Sequence, residues 1–147
     1  MNDSSRFYRR RLPHYRERDA IYFVTWRLAV GEELSAPERD LVAAELRSKH
    51  EQRYELYAYV VMNDHVHVLL RIFDGEALEK ILHSWKSFTA HEMQRRRGRR
   101  GRVWQDEYFD RIVRNEKEFA QKFDYIIGNP WTRWPELTKY RWVWPQP

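Results

Sequence analysis

Two strand-like segments separated by a two-residue turn constrain the fold more than any other feature of the sequence. Residues 54–62 (YELYAYVVM) and 65–72 (HVHVLLRI) are rich in β-branched and aromatic side chains, which favour extended strands. Asn63 and Asp64 between them are typical turn residues, because their short side chains hydrogen-bond to nearby backbone groups. The sequence therefore predicts an antiparallel β-hairpin, and the remaining elements must pack around it.

A strand and a helix are predicted before this hairpin. Residues 20–28 (AIYFVTWRL) have the composition of a strand. Ser35 is expected to cap a helix that reaches about Lys49, because Pro37 and Glu38 follow at the first turn, where proline and a capping-box glutamate are favoured.

Two further helices and one further strand are predicted after the hairpin. Residues 76–96 carry apolar side chains at helical spacing, and the Gly/Arg segment that follows is expected to be a loop. A strand is predicted within 103–114. Asn115 is expected to cap a last helix that ends near Gly128, because Pro130 disfavours helical geometry in the residue before it.

The resulting order, β-α-β-β-α-β-α, indicates an α+β fold. Four strands and two crossovers match a ferredoxin-like antiparallel sheet (β-α-β-β-α-β), with an additional C-terminal helix. A length of 147 residues fits a single domain, 1–147. Within it, residues 1–19 are predicted to form a basic N-terminal arm. Residues 130–147 form an aromatic tail that is expected to pack back on the domain.

The basic charge is concentrated in two arginine-rich segments. The net charge is +5, yet residues 6–18 alone carry +5 and residues 94–102 carry +6, so the rest of the chain is acidic. Arginine clusters in a chain with 16% aromatic residues favour a nucleic-acid partner, especially a single strand whose bases can stack on exposed rings. The alternative is an ordinary solvated surface with a basic tail.

Several classes of protein are excluded or disfavoured by composition. The chain has no cysteine, which excludes disulfides, thiol catalysis and cysteine-based zinc sites. No apolar run approaches the ~20 residues of a membrane-spanning helix. The N-terminus also lacks the apolar segment of a secretory signal, so we expect a cytoplasmic protein with no membrane partner.

His65 and His67 are the first candidates for chemistry. Because side chains alternate along a strand, both imidazoles are expected on one face of the sheet. Two histidines on a rigid face can provide two corners of a divalent-metal site. They can equally be two polar residues on the solvent-exposed face of a half-buried strand. Two ligands alone also do not complete a metal site.

The last predicted helix offers further candidates. Tyr125 and Asn129 are four residues apart and therefore share a helical face. Asn129 supplies a hard oxygen ligand suited to Mg²⁺ or Mn²⁺, and a tyrosine can act as a covalent nucleophile. Tyr125 could instead be a packing residue beside Phe123 and Ile126.

The chain resembles the REP-associated tyrosine transposases, relatives of small insertion-sequence transposases in the single-tyrosine HUH class. The resemblance rests on segments that match in order and together cover nearly the whole chain. They are LPHYRERDAIYFVTWRL, YVVMNDHVHVLL, WKSFTA, GRVWQDEYFDRIVR and YIIGNPW. One departure is that relatives usually carry Pro-Asn before the first histidine, where this chain has Asn63-Asp64.

The resemblance implies a role for each of the candidate residues. His65 and His67 match the metal-binding pair, Asn129 matches the position that completes the Mg²⁺ or Mn²⁺ site, and Tyr125 matches the nucleophile. The implied activity is metal-dependent cleavage and joining of single-stranded DNA through a 5′-phosphotyrosine. The implied partner is hairpin DNA from repetitive palindromes, bound by a monomer or homodimer in the bacterial cytoplasm with the nucleoid. The rival hypothesis is a domesticated relative that binds hairpins without cutting them.

Twelve basic residues are predicted to contact DNA. Arg9, Arg10 and Arg11 lie in the arm and Lys86 in the second helix. The others are Arg95, Arg96, Arg97, Arg99, Arg100 and Arg102 around the Gly/Arg loop, and Arg111 and Arg114 near the last strand. Lys86 could equally be a solvated lysine.

Overall fold

The structure, a computed structural model, describes residues 20–147. The predicted arm 1–19, with Arg9, Arg10 and Arg11, lies outside the described residues. The described elements are β1 (Ile21–Leu28), α1 (Ala36–Ser48), β2 (Tyr54–Val61), β3 (His65–Ile72), α2 (Leu78–Arg97), β4 (Trp104–Val113), α3 (Glu116–Arg133) and β5 (Val143–Trp144). No helix among these is long and apolar enough to cross a membrane.

The strands form one antiparallel sheet in the order β4-β1-β3-β2-β5. The first four strands have the order of a ferredoxin-like fold, so the predicted α+β architecture with an added C-terminal helix is confirmed. The short strand β5 is an addition that the sequence patterns do not predict. It pairs with β2 through Tyr59 and Trp144 and through Val60 and Val143.

The predicted hairpin is formed by β2 and β3, with Val61 opposite Val66. Its turn is hydrogen-bonded to the end of β1 and to the segment that follows it. The carbonyl of Asp64 accepts a hydrogen bond from Leu28 N at 2.8 Å, and that of Asn63 accepts from Leu34 N at 2.7 Å. These two bonds fix the end of the hairpin at which His65 begins β3.

Each face of the sheet is covered by helices. Helices α1 and α2 pack on one face, against side chains that include Val24, Trp26, Val66 and Val68. Helix α3 packs on the other face, against side chains that include Phe23 and Leu69. Because β3 alternates, this arrangement turns His65 and His67 toward the face that carries α3.

Helix α1 begins as its sequence predicts. Ser35 Oγ accepts from the backbone N–H of Glu38 at 3.3 Å, and the Glu38 carboxylate accepts from Ser35 N at 2.8 Å. This reciprocal pair is a capping box, in which two otherwise unpaired donors at the helix start are satisfied.

The predicted end of the last helix is wrong. Helix α3 continues through Pro130 to Arg133, so Asn129 lies inside the helix and not at a frayed end. Proline removes one helical hydrogen bond, but Pro130 is buried and the tryptophans that follow, Trp131 and Trp134, pack on the α3 side of the core. This tertiary packing outweighs the local preference to stop.

The aromatic tail packs on the domain. The Tyr140 hydroxyl donates to the carbonyl of Val61 at 2.7 Å, and the ring stacks on Trp134. Together with β5, this contact places the tail along the edge of the sheet beside β2.

Candidate active site

The two histidines lie side by side on β3, facing α3. Their ring centroids are 4.7 Å apart. On the neighbouring strand β1, Arg27 is the partner of His65 and Thr25 is the partner of His67. The alternation of β3 thus brings both imidazoles to one surface, as the sequence predicts.

His67 has the environment of a metal ligand. Its Nδ1 lies 2.6 Å from Thr25 Oγ1, while its Nε2 is buried and has no hydrogen-bond partner among the described residues. In the tautomer whose Nδ1–H donates to Thr25, the lone pair of Nε2 stays free. A ring held at one nitrogen, with the other open, is the usual state of a histidine that binds a metal.

The charge state of His67 fits the same role. Burial lowers the pKa of His67 to about 3, with further lowering by His65, Arg27 and Lys122. The imidazole is therefore neutral at physiological pH. Only the neutral ring can offer its lone pair to a metal ion.

His65 is oriented by the residue before it. Its Nδ1 lies 2.7 Å from Asp64 Oδ1, so the carboxylate can accept the Nδ1–H and leave Nε2 for a ligand. Asp64 is one of the two positions at which the turn departs from the pattern of the resembled family. The departure places a charged acceptor on the first histidine of the pair.

Tyr125 reaches this histidine surface from α3. Its ring centroid is 5.2 Å from that of His67 and 6.0 Å from that of Phe23. The side chain is 53% exposed, whereas Phe123 and Ile126 on the same helix are buried. Tyr125 is therefore not a core residue, and the structure places the predicted nucleophile beside His67 of the histidine pair.

The described residues do not group a third histidine or carboxylate with the histidine pair. In residues 20–147, no three His, Asp or Glu side chains are grouped so as to hold a metal ion. Asn129 is half-buried and lies one helical turn after Tyr125, on the same face. The open Nε2 of His67 and the amide oxygen of Asn129 suit a divalent cation, and the ligand role of Asn129 remains a prediction.

Replacing Asp64 by Ala is expected to weaken Mn²⁺ binding by about tenfold to a hundredfold, since loss of a partner that orients a ligand has effects of this size. Isothermal titration of the full chain without DNA measures the affinity directly. Asp74→Ala removes the same charge from an exposed loop and is the matched control. Equal Mn²⁺ affinity in Asp64→Ala and the wild type would contradict the orienting role.

A cleft of about 690 Å³ opens beside Tyr125 and His67. Its lining includes Arg27, Lys122 and Phe109. The Lys122 ammonium lies 4.9 Å from the ring centroid of Phe23. Two cations at the mouth of a site with a tyrosine and two histidines can attract and neutralise a phosphate.

Two of the residues predicted to contact DNA make hydrogen bonds within the domain. Lys86 Nζ donates to the backbone carbonyls of Gln105 and Asp106, at 2.7 and 3.1 Å, and ties α2 to the start of β4. Arg99 Nη2 donates to Glu38 Oε1 at 3.0 Å, and its side chain is only 16% exposed. These bonds link parts of the fold that are distant in sequence, and contact of either side chain with DNA stays a prediction.

The other predicted arginines within residues 20–147 are exposed. Arg95, Arg96 and Arg97 lie in the last turn of α2, which ends at Arg97 with Gly98 as its C-cap, close to the predicted end at residue 96. Surface ion pairs contribute about 0–1 kcal/mol and can be exchanged for phosphate contacts. The pairs are Arg95 and Arg96 with Glu92, Arg102 with Asp106, and Arg111 with Glu118. Arg97, Arg100 and Arg114 are exposed as well, and DNA contact by these side chains stays a prediction.

The sequence patterns do not identify four residues of the site, namely Thr25, Asp64, Lys122 and Phe109. Thr25 and Phe109 belong to β1 and β4, and their places depend on strand register. Asp64 was assigned only to the turn. Its position directly before His65 is the one local signal that could have identified it.

The chain is similar to a known protein family and to two curated proteins over more than half of its length. The family described as "Transposase IS200 like" matches residues 39–129, more than half of the chain. The REP-associated tyrosine transposase of Escherichia coli is 24% identical over 104 residues, which cover 65% of this chain and 61% of that protein. A Haemophilus influenzae protein assigned to the same group is 27% identical over 101 residues, covering 58% of this chain and 57% of the relative. The chain thus matches about three fifths of the length of these relatives.

A solved structure shares the fold. It is that of a REP-associated tyrosine transposase bound to a REP hairpin, with a TM-score of 0.72 and 19% sequence identity. The superposition covers 90% of this chain and 82% of that one. At this level of identity the likeness concerns the fold.

Proposed function

Because this chain belongs to the IS200-like transposase family, we propose that it is a metal-dependent single-strand DNA endonuclease and strand transferase. It binds palindromic hairpin DNA and cuts the adjoining strand through a covalent 5′-phosphotyrosine. The observation that carries the proposal is the position of Tyr125. The centroid of its exposed ring lies 5.2 Å from that of His67, whose buried Nε2 has no hydrogen-bond partner among the described residues.

Similarity to known proteins and the distribution of charge both support hairpin DNA as the binding partner. The curated relatives are named for an association with REP sequences, and the structure that shares the fold holds a REP hairpin. Arginines at the end of α2 and beyond it give this chain an exposed basic surface for phosphates. Such a substrate would be found in the bacterial cytoplasm, on nucleoid DNA.

The proposed cleavage is a transesterification at phosphorus. The Tyr125 hydroxyl loses its proton and its oxygen attacks the scissile phosphate. The new bond joins this oxygen to phosphorus, and the bond from phosphorus to the 3′ oxygen breaks. The 3′ oxygen takes up a proton and leaves as a hydroxyl, while the 5′-phosphate stays on the tyrosine. The reverse reaction with another 3′-hydroxyl joins strands without an external energy source.

His65, His67 and Asn129 would hold a Mg²⁺ or Mn²⁺ ion, which polarises the scissile phosphate and neutralises its charge when bound. Thr25 and Asp64 keep the two imidazoles in the orientation that leaves their Nε2 atoms available. Arg27 and Lys122 attract the phosphate to the cleft. The tyrosine, the histidines and the cations therefore act at one place.

Cleavage of a hairpin oligonucleotide that carries a single-stranded flank tests the proposal. We expect Mn²⁺-dependent cutting that EDTA abolishes, and at least a hundredfold loss in His67→Ala, of the order seen when a ligand or its support is removed. His83→Ala, on the exposed surface of α2, is the matched control and is expected to cut normally.

Two results would contradict the proposed function. Cutting that is unaffected by EDTA would exclude the metal requirement. Tight hairpin binding without any cutting, with Mn²⁺ present, would favour the non-catalytic DNA-binding protein instead.

A further inference from the structure

Phe109 is the most exposed aromatic side chain in residues 20–147. Its exposed fraction is 57%, compared with 53% for Tyr125 and 46% for Phe88. An apolar ring of this size in water loses the free energy that burial would provide. Because Phe109 lines the cleft, a molecule bound in the cleft could cover the exposed ring.

The register of the sheet aligns Phe109 with the active site. Phe109 on β4 is the partner of Thr25 on β1, and Thr25 is the partner of His67 on β3. Partners on adjacent antiparallel strands point to the same face. Phe109 and His67 therefore share one face two strands apart, which is about 10 Å at the usual strand spacing.

The cleft joins the ring to the reacting groups. Phe109, Tyr125 and His67 all contribute to its lining, as do the cations of Arg27 and Lys122. Glu107 lines it as well, two residues before Phe109 on β4. The carboxylate repels a phosphate but tolerates a neutral base, so the charges favour a base at the β4 side and the phosphate near the cations.

We propose that Phe109 is a stacking platform for an unpaired nucleobase beside the scissile phosphate. This inference rests on the proposed function, because it assumes that a single strand enters the cleft. Every base has a flat face, so an exposed ring binds a single strand without requiring one sequence. A base stacked here would hold the backbone of its nucleotide next to Tyr125 and would thereby position the bond to be cut.

Phe109→Ala is expected to weaken binding of a hairpin with a single-stranded flank by roughly tenfold or more, the loss typical of one base-stacking contact. The same hairpin without the flank should bind with unchanged affinity. Phe109→Trp should retain the affinity for the flanked hairpin, since the larger ring also stacks. Fluorescence anisotropy with labelled oligonucleotides, in EDTA to prevent cleavage, gives each dissociation constant.

Ile112→Ala is the matched control. Ile112 lies on the same strand with a comparable exposed fraction of 40%, but it is three residues from Phe109 and so points to the opposite face of the sheet. This variant should bind both oligonucleotides like the wild type. The thermal midpoints of all variants should stay close to that of the wild type, because both side chains are exposed.

The outcomes separate this inference from the proposed function. Tight flanked-hairpin binding by Phe109→Ala would overturn the platform and leave the proposed function standing. An equal loss for both oligonucleotides would overturn it too, because the ring would then contact the duplex. A change in oligomeric state on size-exclusion chromatography would make the ring an interface between copies of the chain. Failure of the wild type to bind either oligonucleotide would overturn both proposals.

Discussion

Tyr125→Phe is expected to abolish the covalent protein–DNA adduct and to reduce strand cleavage by at least about 10⁴-fold, as expected when a nucleophile is removed. The substitution removes only the hydroxyl. The ring that lies 5.2 Å from His67 remains, so hairpin binding should be retained. A denaturing gel with a 5′-labelled flank separates the adduct from free DNA, and anisotropy measures the affinity of the same variant.

Tyr108→Phe is the control for this experiment. Tyr108 also lines the cleft and is 36% exposed, but it is the partner of Trp26 on β1 and so belongs to the face of the sheet opposite His67. This variant should form the adduct at the wild-type rate. An adduct formed by Tyr125→Phe would show that another residue attacks the phosphate.

Arg99→Met is expected to lower the free energy of unfolding by about 3–5 kcal/mol, the usual cost of leaving a buried charge without its partner. The charge is that of Glu38, which is 4% exposed and accepts from Arg99 at 3.0 Å. Urea denaturation of the full chain measures the difference. Arg100→Met, on the exposed neighbour of Arg99, should change stability by less than about 0.5 kcal/mol.

A double variant isolates the pair. Glu38→Gln keeps a side chain that can complete the capping box but removes the charge. Glu38→Gln/Arg99→Met should therefore be more stable than Arg99→Met alone. Destabilisation of the double variant by the full sum of the single variants would contradict a coupled pair.

The pH dependence of this pair has a definite sign. Burial raises the pKa of Glu38, but hydrogen bonds and charge from Arg99 and hydrogen bonds from Ser35 outweigh it, and the net pKa lies below 4.5. A carboxyl whose folded pKa is depressed stabilises the protein above its unfolded pKa and loses this contribution as pH falls. The difference between Arg99→Met and the wild type should accordingly shrink below pH 4.5.

The parts of the fold that follow local rules could be predicted from the sequence. The hairpin follows from two β-rich segments around Asn63-Asp64, and the start of α1 follows from Ser35 and Glu38. The alternation of β3 also predicts that His65 and His67 share a face. In each case the cause lies within a few residues along the chain.

Other features depend on contacts between distant parts of the chain. Arg99 belongs to a segment whose composition predicts phosphate contacts, but its hydrogen-bond partner Glu38 is 61 positions earlier. Thr25 becomes part of the site only through the pairing of β1 with β3. The continuation of α3 through Pro130 depends on packing of its tryptophans, which no local rule for proline includes.

Because the histidine pair lies on β3, the backbone that carries it loses its conformational freedom when the protein folds and not when a ligand binds. Strand β3 is the middle strand of the sheet and is hydrogen-bonded to β1 and β2 on its two sides. The backbone that carries His65 and His67 is therefore ordered by folding itself, independently of any ligand. A preorganised site loses less entropy when a ligand binds, so more of the favourable contact energy contributes to the binding affinity. Tyr125, in contrast, lies on the neighbouring helix α3 and is 53% exposed, so its position depends on the packing of that helix against the sheet.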